Sequence, residues 1–136
     1  MEARAKLRNV PMSPRKMRMV VDLIRGKRVE EALNILKFNK REASTWLEKL
    51  LMSAIANWEY KTDMTKSADE FELFVKEIFV DEGPSLKRFR PAAHGRAHPF
   101  KRRTNHTTII VENKVVFDET ELEVVEEETE EITDNK

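Results

Sequence analysis

From Gly83 to Val111 the chain carries no acidic side chain, although Asp and Glu are abundant elsewhere. The same stretch holds Lys87, Arg88, Arg90, Arg96, Lys101, Arg102 and Arg103, together with all three histidines, His94, His98 and His106. A run this basic repels itself unless a polyanion surrounds it. It is not low in complexity: Pro84, Pro91, Gly95 and Pro99 punctuate it, and Leu86, Phe89 and Phe100 are interleaved. The flanks, Phe74 to Val80 and Thr107 to Val111, both read as β-strands. The basic segment therefore reads as a long arm anchored at both ends in a folded body.

Charge is divided along the chain. Residues 1–114 hold 24 Lys and Arg against 15 Asp and Glu, whereas residues 115–136 hold one Lys and 10 acids. The zero net charge thus conceals a basic body and an acidic tail, an asymmetry that points to a polyanion partner. The absence of cysteine excludes disulfides and cysteine-ligated zinc and fits a reducing compartment. No apolar run approaches the roughly 20 residues of a membrane helix, and the first residues lack the apolar centre of a signal peptide. The expectation is a soluble cytoplasmic protein without membrane contact, and nothing suggests a homo-oligomer.

The rest of the body reads as α+β, with three helices packed on a small antiparallel sheet from which a long basic β-hairpin protrudes. Residues 2–10 alternate, with Glu2, Arg4, Lys6 and Arg8 on one parity and Ala3, Ala5, Leu7 and Pro11 on the other. Ser13-Pro14 is a helix start, with Ser at the N-cap and Pro in the first helical position. That helix should run from Pro14 to Arg25 and stop at Gly26, burying Met17, Val20, Val21 and Ile24; Met12 and Met19 are ambiguous. Asp22 lies where it can pair Arg18 or Arg25. A short helix over Val29–Lys37 follows, then a third over about residues 41–60. In the third, Ala43, Trp46, Leu47, Leu50, Leu51, Ala54, Ile55 and Trp58 recur at helical spacing and form the spine of the core. Residues 61–70 read as a surface loop, and strands are expected near 71–81 and 107–116. One domain over 1–116, with its hairpin at about 84–106, then gives way to an acidic tail over 117–136 that reads as flexible and solvated.

No catalytic constellation is visible. His94 and His98 are four apart, but Gly95 and Pro99 argue against a helix there and no carboxylate lies in the arm. No metal site, catalytic residue or cofactor is expected. The arm supplies another chemistry: charge-assisted hydrogen bonds from Arg and Lys to phosphate, and Phe89 and Phe100 for stacking on unpaired bases. Folded back on itself, an arm of about 23 residues reaches on the order of 35–40 Å. A basic β-arm that inserts into duplex DNA is one rival reading, and an RNA-acting enzyme using a histidine is another. No base-reading helix supports the first, and no organised carboxylate supports the second.

Four ordered blocks carry a family resemblance. They are Ser13-Pro14-Arg15-Lys16-Met17-Arg18 leading to Asp22-Leu23-Ile24-Arg25-Gly26-Lys27; Ser53-Ala54-Ile55-Ala56-Asn57; Ile78-Phe79-Val80-Asp81-Glu82-Gly83-Pro84-Ser85; and Gly95-Arg96-Ala97 with Lys101-Arg102-Arg103-Thr104 and His106. Over about residues 2–114 the chain resembles the bacterial ribosomal large-subunit protein L-twenty-two family. The resemblance implies a non-enzymatic constituent of the large subunit that binds large-subunit ribosomal RNA and aids early assembly. It implies a globular body on the subunit's outer face, and a hairpin that lines the nascent-peptide exit tunnel opposite ribosomal protein L-four. The partners it implies are therefore ribosomal RNA, neighbouring ribosomal proteins and the nascent polypeptide.

The tunnel tip would be Arg90, Pro91, Ala92, Ala93, His94, Gly95, Arg96 and Ala97, with Leu86 to Arg88 where macrolide-linked residues of the family fall. The implied RNA contacts of the body are Arg4, Lys6, Arg8, Ser13, Arg15, Lys16, Arg18, Arg25 and Lys27. Those of the arm are Lys87, Arg88, Arg90, Arg96, Lys101, Arg102, Arg103 and His106. Two positions depart from the family pattern. Ala92 stands where Arg or His is usual, so a tip contact to RNA or a tunnel charge is either absent or supplied by His94 or Arg90. Thr107 stands where an aliphatic residue is usual, which predicts a less buried strand end. The acidic tail is outside the pattern; near the exit port it would repel RNA and tune access of factors.

Overall fold

A computed structural model describes residues 1–62 and 72–114. Most of the loop expected at 61–70 and the acidic tail expected over 117–136 lie outside the described residues. In chain order the elements are β1 (Glu2–Val10), α1 (Pro14–Ile24), α2 (Val29–Phe38), α3 (Glu42–Lys61), β2 (Leu73–Glu82), β3 (Leu86–Pro91), β4 (Ala97–Arg102) and β5 (Asn105–Asn113). A single 3-10 turn, Ala93–Gly95, joins β3 to β4. The body is a three-stranded antiparallel sheet in the order β1-β5-β2, with three helices on one face, and β3-β4 is a separate two-stranded ribbon. The α+β architecture with a protruding hairpin is thus as the sequence implied.

The apolar periodicities set the core. Met17, Val20, Val21 and Ile24 of α1, Leu47, Leu51, Ala54 and Trp58 of α3, and Val75, Ile109 and Val111 of the sheet are fully buried. Trp46 and Ile55, expected in the same stripe, are only half-buried at its margin. Met12 is buried in the turn before α1, while Met19 is exposed. The first helix ends one residue earlier than expected: Arg25 has left helical geometry and Gly26 takes the left-handed conformation at φ 72°.

Two irregularities break the strand alternation, and each reverses which parity faces the helices. In β1 the register shifts between Leu7 and Val10, where Asn9 adopts φ 56°. Val10 rather than Pro11 therefore turns inward, and Pro11 is exposed, contrary to the simple alternation. In β2 the shift falls between Val75 and Glu77, so Leu73 and Val75 point inward before it and Ile78 and Val80 after it. Lys76 sits at this bulge and reaches Glu2 and Glu112, both at 3.1 Å. Those carboxylates lie directly opposite each other on β1 and β5 and would otherwise repel. Hydrogen bonding to Glu112 and then Glu2 raises the Lys76 ammonium above its ordinary 10.5.

Both outer edges of the sheet are closed by helix side chains. On β2, Arg18 donates to the Val80 carbonyl (Nη2 at 2.8 Å) and Arg25 to that of Ile78 (3.2 Å). Seven residues apart on α1, the two arginines reach carbonyls two residues apart on the strand. Past the helix, Gly26 N–H donates to the Val75 carbonyl (3.0 Å) and Val75 N–H to that of Lys27 (2.9 Å). On β1, Asn57 and Lys61 of α3 donate to the Arg4 and Glu2 carbonyls, each at 3.1 Å. Exposed strand edges template wrong pairing, and these caps engage the carbonyls of Glu2, Arg4, Val75, Ile78 and Val80.

Candidate nucleic-acid interface

The arm leaves the sheet through a narrow neck. Glu82 pairs with Asn105 on the body side and Leu86 with Arg102 on the arm side. Three residues, 83–85, therefore face two, 103–104, and this one-residue offset separates ribbon from sheet. The neck is closed by Gly83 N–H donating to the Thr104 carbonyl (2.9 Å) and by Thr104 Oγ1 donating to the Pro84 carbonyl (2.7 Å). A Cβ at Gly83 would collide with Thr104 Oγ1 and approach the Thr104 backbone at 3.1 Å. Glycine is required here by close approach.

Beyond the neck the ribbon runs in regular register from Leu86↔Arg102 to Pro91↔Ala97. Residues directly opposite share a face. One face carries Leu86, Arg88, Arg90, His98, Phe100 and Arg102; the other carries Lys87, Phe89, Pro91, Ala97, Pro99 and Lys101. Lys87 and Lys101 are direct cross-strand neighbours, an arrangement of like charges that costs stability. Among the described residues no ion pair involves an arm cation. Arg90 stacks its guanidinium 4.5 Å from the Phe100 ring centre, and Phe89 is 71% exposed. Of the two aromatics expected to meet bases, Phe89 is thus open and Phe100 already carries an arginine on its ring.

The tip is a tight reversal. Ala92 N–H donates to the Arg96 carbonyl at 2.7 Å, and His94 and Gly95 are both left-handed, at φ 59° and 68°. Arg90, Pro91, Ala93, His94, Gly95, Arg96 and Ala97 are all exposed, and Ala92 is half-buried. His94 and His98 sit on a turn and a strand, not a helix, and among the described residues no three His, Asp or Glu side chains gather as a metal-binding group.

Where the arm meets the body, it forms a cleft with the start of α1. A recess of about 520 Å³ is lined by Ser13, Pro14, Arg15, Lys16, Arg18, Glu82 and Arg103. A second recess, of about 790 Å³, runs from Pro11, Met12, Lys16 and Glu42 on the body to Arg90 and Phe100 to Thr104 on the arm. The first turn of α1 has no acidic residue. Ser13 occupies the N-cap position, but its side chain makes no capping hydrogen bond; its carbonyl accepts from Lys16 and Met17 instead. A helix start without acids, the cations of Arg15, Lys16 and Arg103, and a Ser13 hydroxyl that makes no capping bond suit a phosphate.

The remaining candidate residues separate into two groups. Arg4 and Lys6 lie on the sheet face away from the helices, with Arg8 exposed at the end of β1. His106 is half-buried, and its Nδ1 accepts from Asn9 N–H at 3.0 Å across the β1 bulge. Arg18 and Arg25 are committed to the β2 edge, and Arg25 also pairs Asp22 at 2.7 Å, so Asp22 chooses Arg25 over Arg18. Lys27 faces Glu31 at 3.7 Å.

Sequence reasoning missed the residues that fix the neck. Asn105 is fully buried; its Nδ2 donates to the Met12 carbonyl at 2.9 Å, and its Oδ1 accepts from Thr107 Oγ1 at 3.2 Å. It therefore ties the turn before α1 to the root of the arm. Thr107 is also fully buried, contrary to the expectation of a looser strand end, because its hydroxyl has this internal partner. Nothing in the polar run from Thr104 to Thr108 singled Asn105 out.

The matches to known proteins agree with this geometry. The family described as "Ribosomal protein L22p/L17e" matches residues 5–112. The chain belongs to this family. A relative called "Large ribosomal subunit protein uL22" from Christiangramia forsetii is 60% identical over 107 residues, covering 79% of this chain and 78% of the relative. Proteins of the same name from Bacteroides fragilis and Porphyromonas gingivalis are each 56% identical, over 110 and 108 residues. They cover 81% and 79% of this chain and 79% of each relative. Members of the L22p/L17e family are structural constituents of the ribosome rather than enzymes, which sets aside both the RNA-acting enzyme and the DNA-inserting arm. The family match spans the neck and arm whole and stops before the acidic residues that follow Lys114.

Proposed function

We propose that this protein binds large-subunit ribosomal RNA through its arm and arm-root cleft, and that it aids early subunit assembly. In this reading the tip, Arg90 to Ala97, lines the nascent-peptide exit tunnel, opposite ribosomal protein L-four and in reach of the nascent polypeptide. One observation carries the reading: an acid-free ribbon projects from the body, its cations in no ion pair among the described residues, and β3 and β4 pack chiefly on each other. A two-stranded ribbon is marginal alone in water, so a polyanion that surrounds it supplies both counter-charge and scaffold. The contacts are to backbone phosphate and set position more than sequence.

Arg15, Lys16 and Arg103, with Ser13, form the phosphate cradle at the root. Lys87, Arg88, Arg90, Arg96, Lys101 and Arg102 line the ribbon. Arg4, Lys6, Arg8 and His106 provide a second surface on the open sheet face, and Lys27 a further cation at the end of α1. Arg18 and Arg25 hold the β2 edge and contribute positive field rather than direct hydrogen bonds. Co-sedimentation with large subunits in high salt tests the reading. The full chain should remain bound after washing, and a variant with Arg15, Lys16 and Arg103 changed to Ala should wash off. Retention of that variant at the wild-type level would remove the cleft from the interface.

A further inference from the structure

We infer that the acidic segment 123–134 is a competitor for the arm-root cleft, docking there when RNA is absent. The inference rests on the reading of that cleft as a phosphate site. Charge complementarity is the first argument: residues 115–136 carry 10 acids and one Lys, a balance opposite and equal to that of residues 1–114. Reach is the second. β5 runs from Asn105, beside the cleft, to Asn113. At about 3.3 Å per residue this puts Lys114 about 30 Å from the cleft. Nine further residues, fully extended, span that distance, so Arg15, Lys16 and Arg103 are within reach of the chain from Glu123 onward. Glu123, Glu126, Glu127, Glu128, Glu130 and Glu131 all fall in this portion of the sequence.

Side-chain chemistry is the third argument. Val124, Val125 and Ile132 interrupt the acids, and the larger recess offers Leu86 and Phe100 beside its cations. Carboxylates in the cleft would occupy the positions of phosphates and shield the arm root from nonspecific polyanions. RNA, with its greater charge density and its contacts along the whole arm, displaces the segment on binding. Glu82 and Glu42 in the cleft walls limit how many carboxylates it takes, so the docked state is weak and salt-sensitive.

The chain has no Cys, so Thr129→Cys in the full chain gives a single position for a nitroxide. At low salt the amide signals of Arg15, Lys16 and Arg103 should broaden more than those of the α2 surface. The broadening should vanish in roughly 1 M salt, where screening acts within about 3 Å. It should also vanish when the six glutamates named above become glutamine. Broadening that is absent or uniform over the body would overturn the inference, as would broadening passed to an unlabelled chain in a mixed sample. In parallel, affinity for a short oligouridine is compared between the wild-type chain and the glutamine variant. Competition predicts about tenfold tighter binding by the variant at low salt. Equal affinities would mean the segment docks without competing, which also overturns the inference. If neither chain binds the RNA, the phosphate reading of the cleft fails, and the broadening pattern still decides whether the segment docks.

Discussion

Asn105 concentrates the residue-scale lesson. Its amide joins the Met12 carbonyl, in the turn before α1, to the Thr107 hydroxyl at the root of the arm. Truncation to Ala would leave the Met12 carbonyl and the Thr107 hydroxyl buried without this partner. The expected cost is about 1–3 kcal/mol, read as a lower urea midpoint with an unchanged slope. An unchanged midpoint would show that the turn before α1 is held elsewhere. Thr107 illustrates why residue type alone misleads: a threonine in an aliphatic position suggests exposure, yet a single internal acceptor lets it be fully buried.

At the scale of elements, the arginines of α1 divide between two tasks that their spacing did not reveal. Arg15 faces the cleft, whereas Arg18 and Arg25 face β2. Changing Arg18 and Arg25 together to Ala should lower body stability by about 1–2 kcal/mol, since each donates to an edge carbonyl in a partly exposed setting. Changing Arg15 and Lys16 to Ala should leave thermal stability within about 0.5 kcal/mol while weakening RNA binding. A thermal melt paired with a binding assay separates the two; equal stability losses would erase the distinction. The ribbon makes the complementary prediction. Arg96→Glu, or deletion of Leu86 to Arg88, should leave the body's melting temperature unchanged and disturb assembly or drug response on the ribosome. Unfolding of the isolated body by either change would make the arm part of the core.

At the scale of the molecule, the folded body is a support for an extended cation array. Among the described residues seven arm cations lie without acid partners, and Arg15, Lys16 and Arg18 of α1 lie at the arm's root. If about five of them neutralise phosphates, log affinity for RNA should fall against log salt with a slope of roughly −3 to −5. A slope near zero in a filter-binding titration would contradict a phosphate-dominated interface. The body's own stability should respond little to the same salt, because its core is apolar and its ion pairs are exposed.

The sequence by itself determined the helices, the strand-flanked basic arm and the charge division, because periodicity and charge are local properties that a chain displays unfolded. The acid-free run from Gly83 to Val111 already pointed to an external polyanion, and the ordered motif blocks already carried the family. Tertiary structure alone decided the bulges at Asn9 and Lys76, the edge clamps of Arg18 and Arg25, and the neck built by Gly83, Thr104 and Asn105. Each depends on which backbone groups distant segments leave unpaired when they meet. That is a property of the assembled sheet and its helices, and no local pattern of residues encodes it.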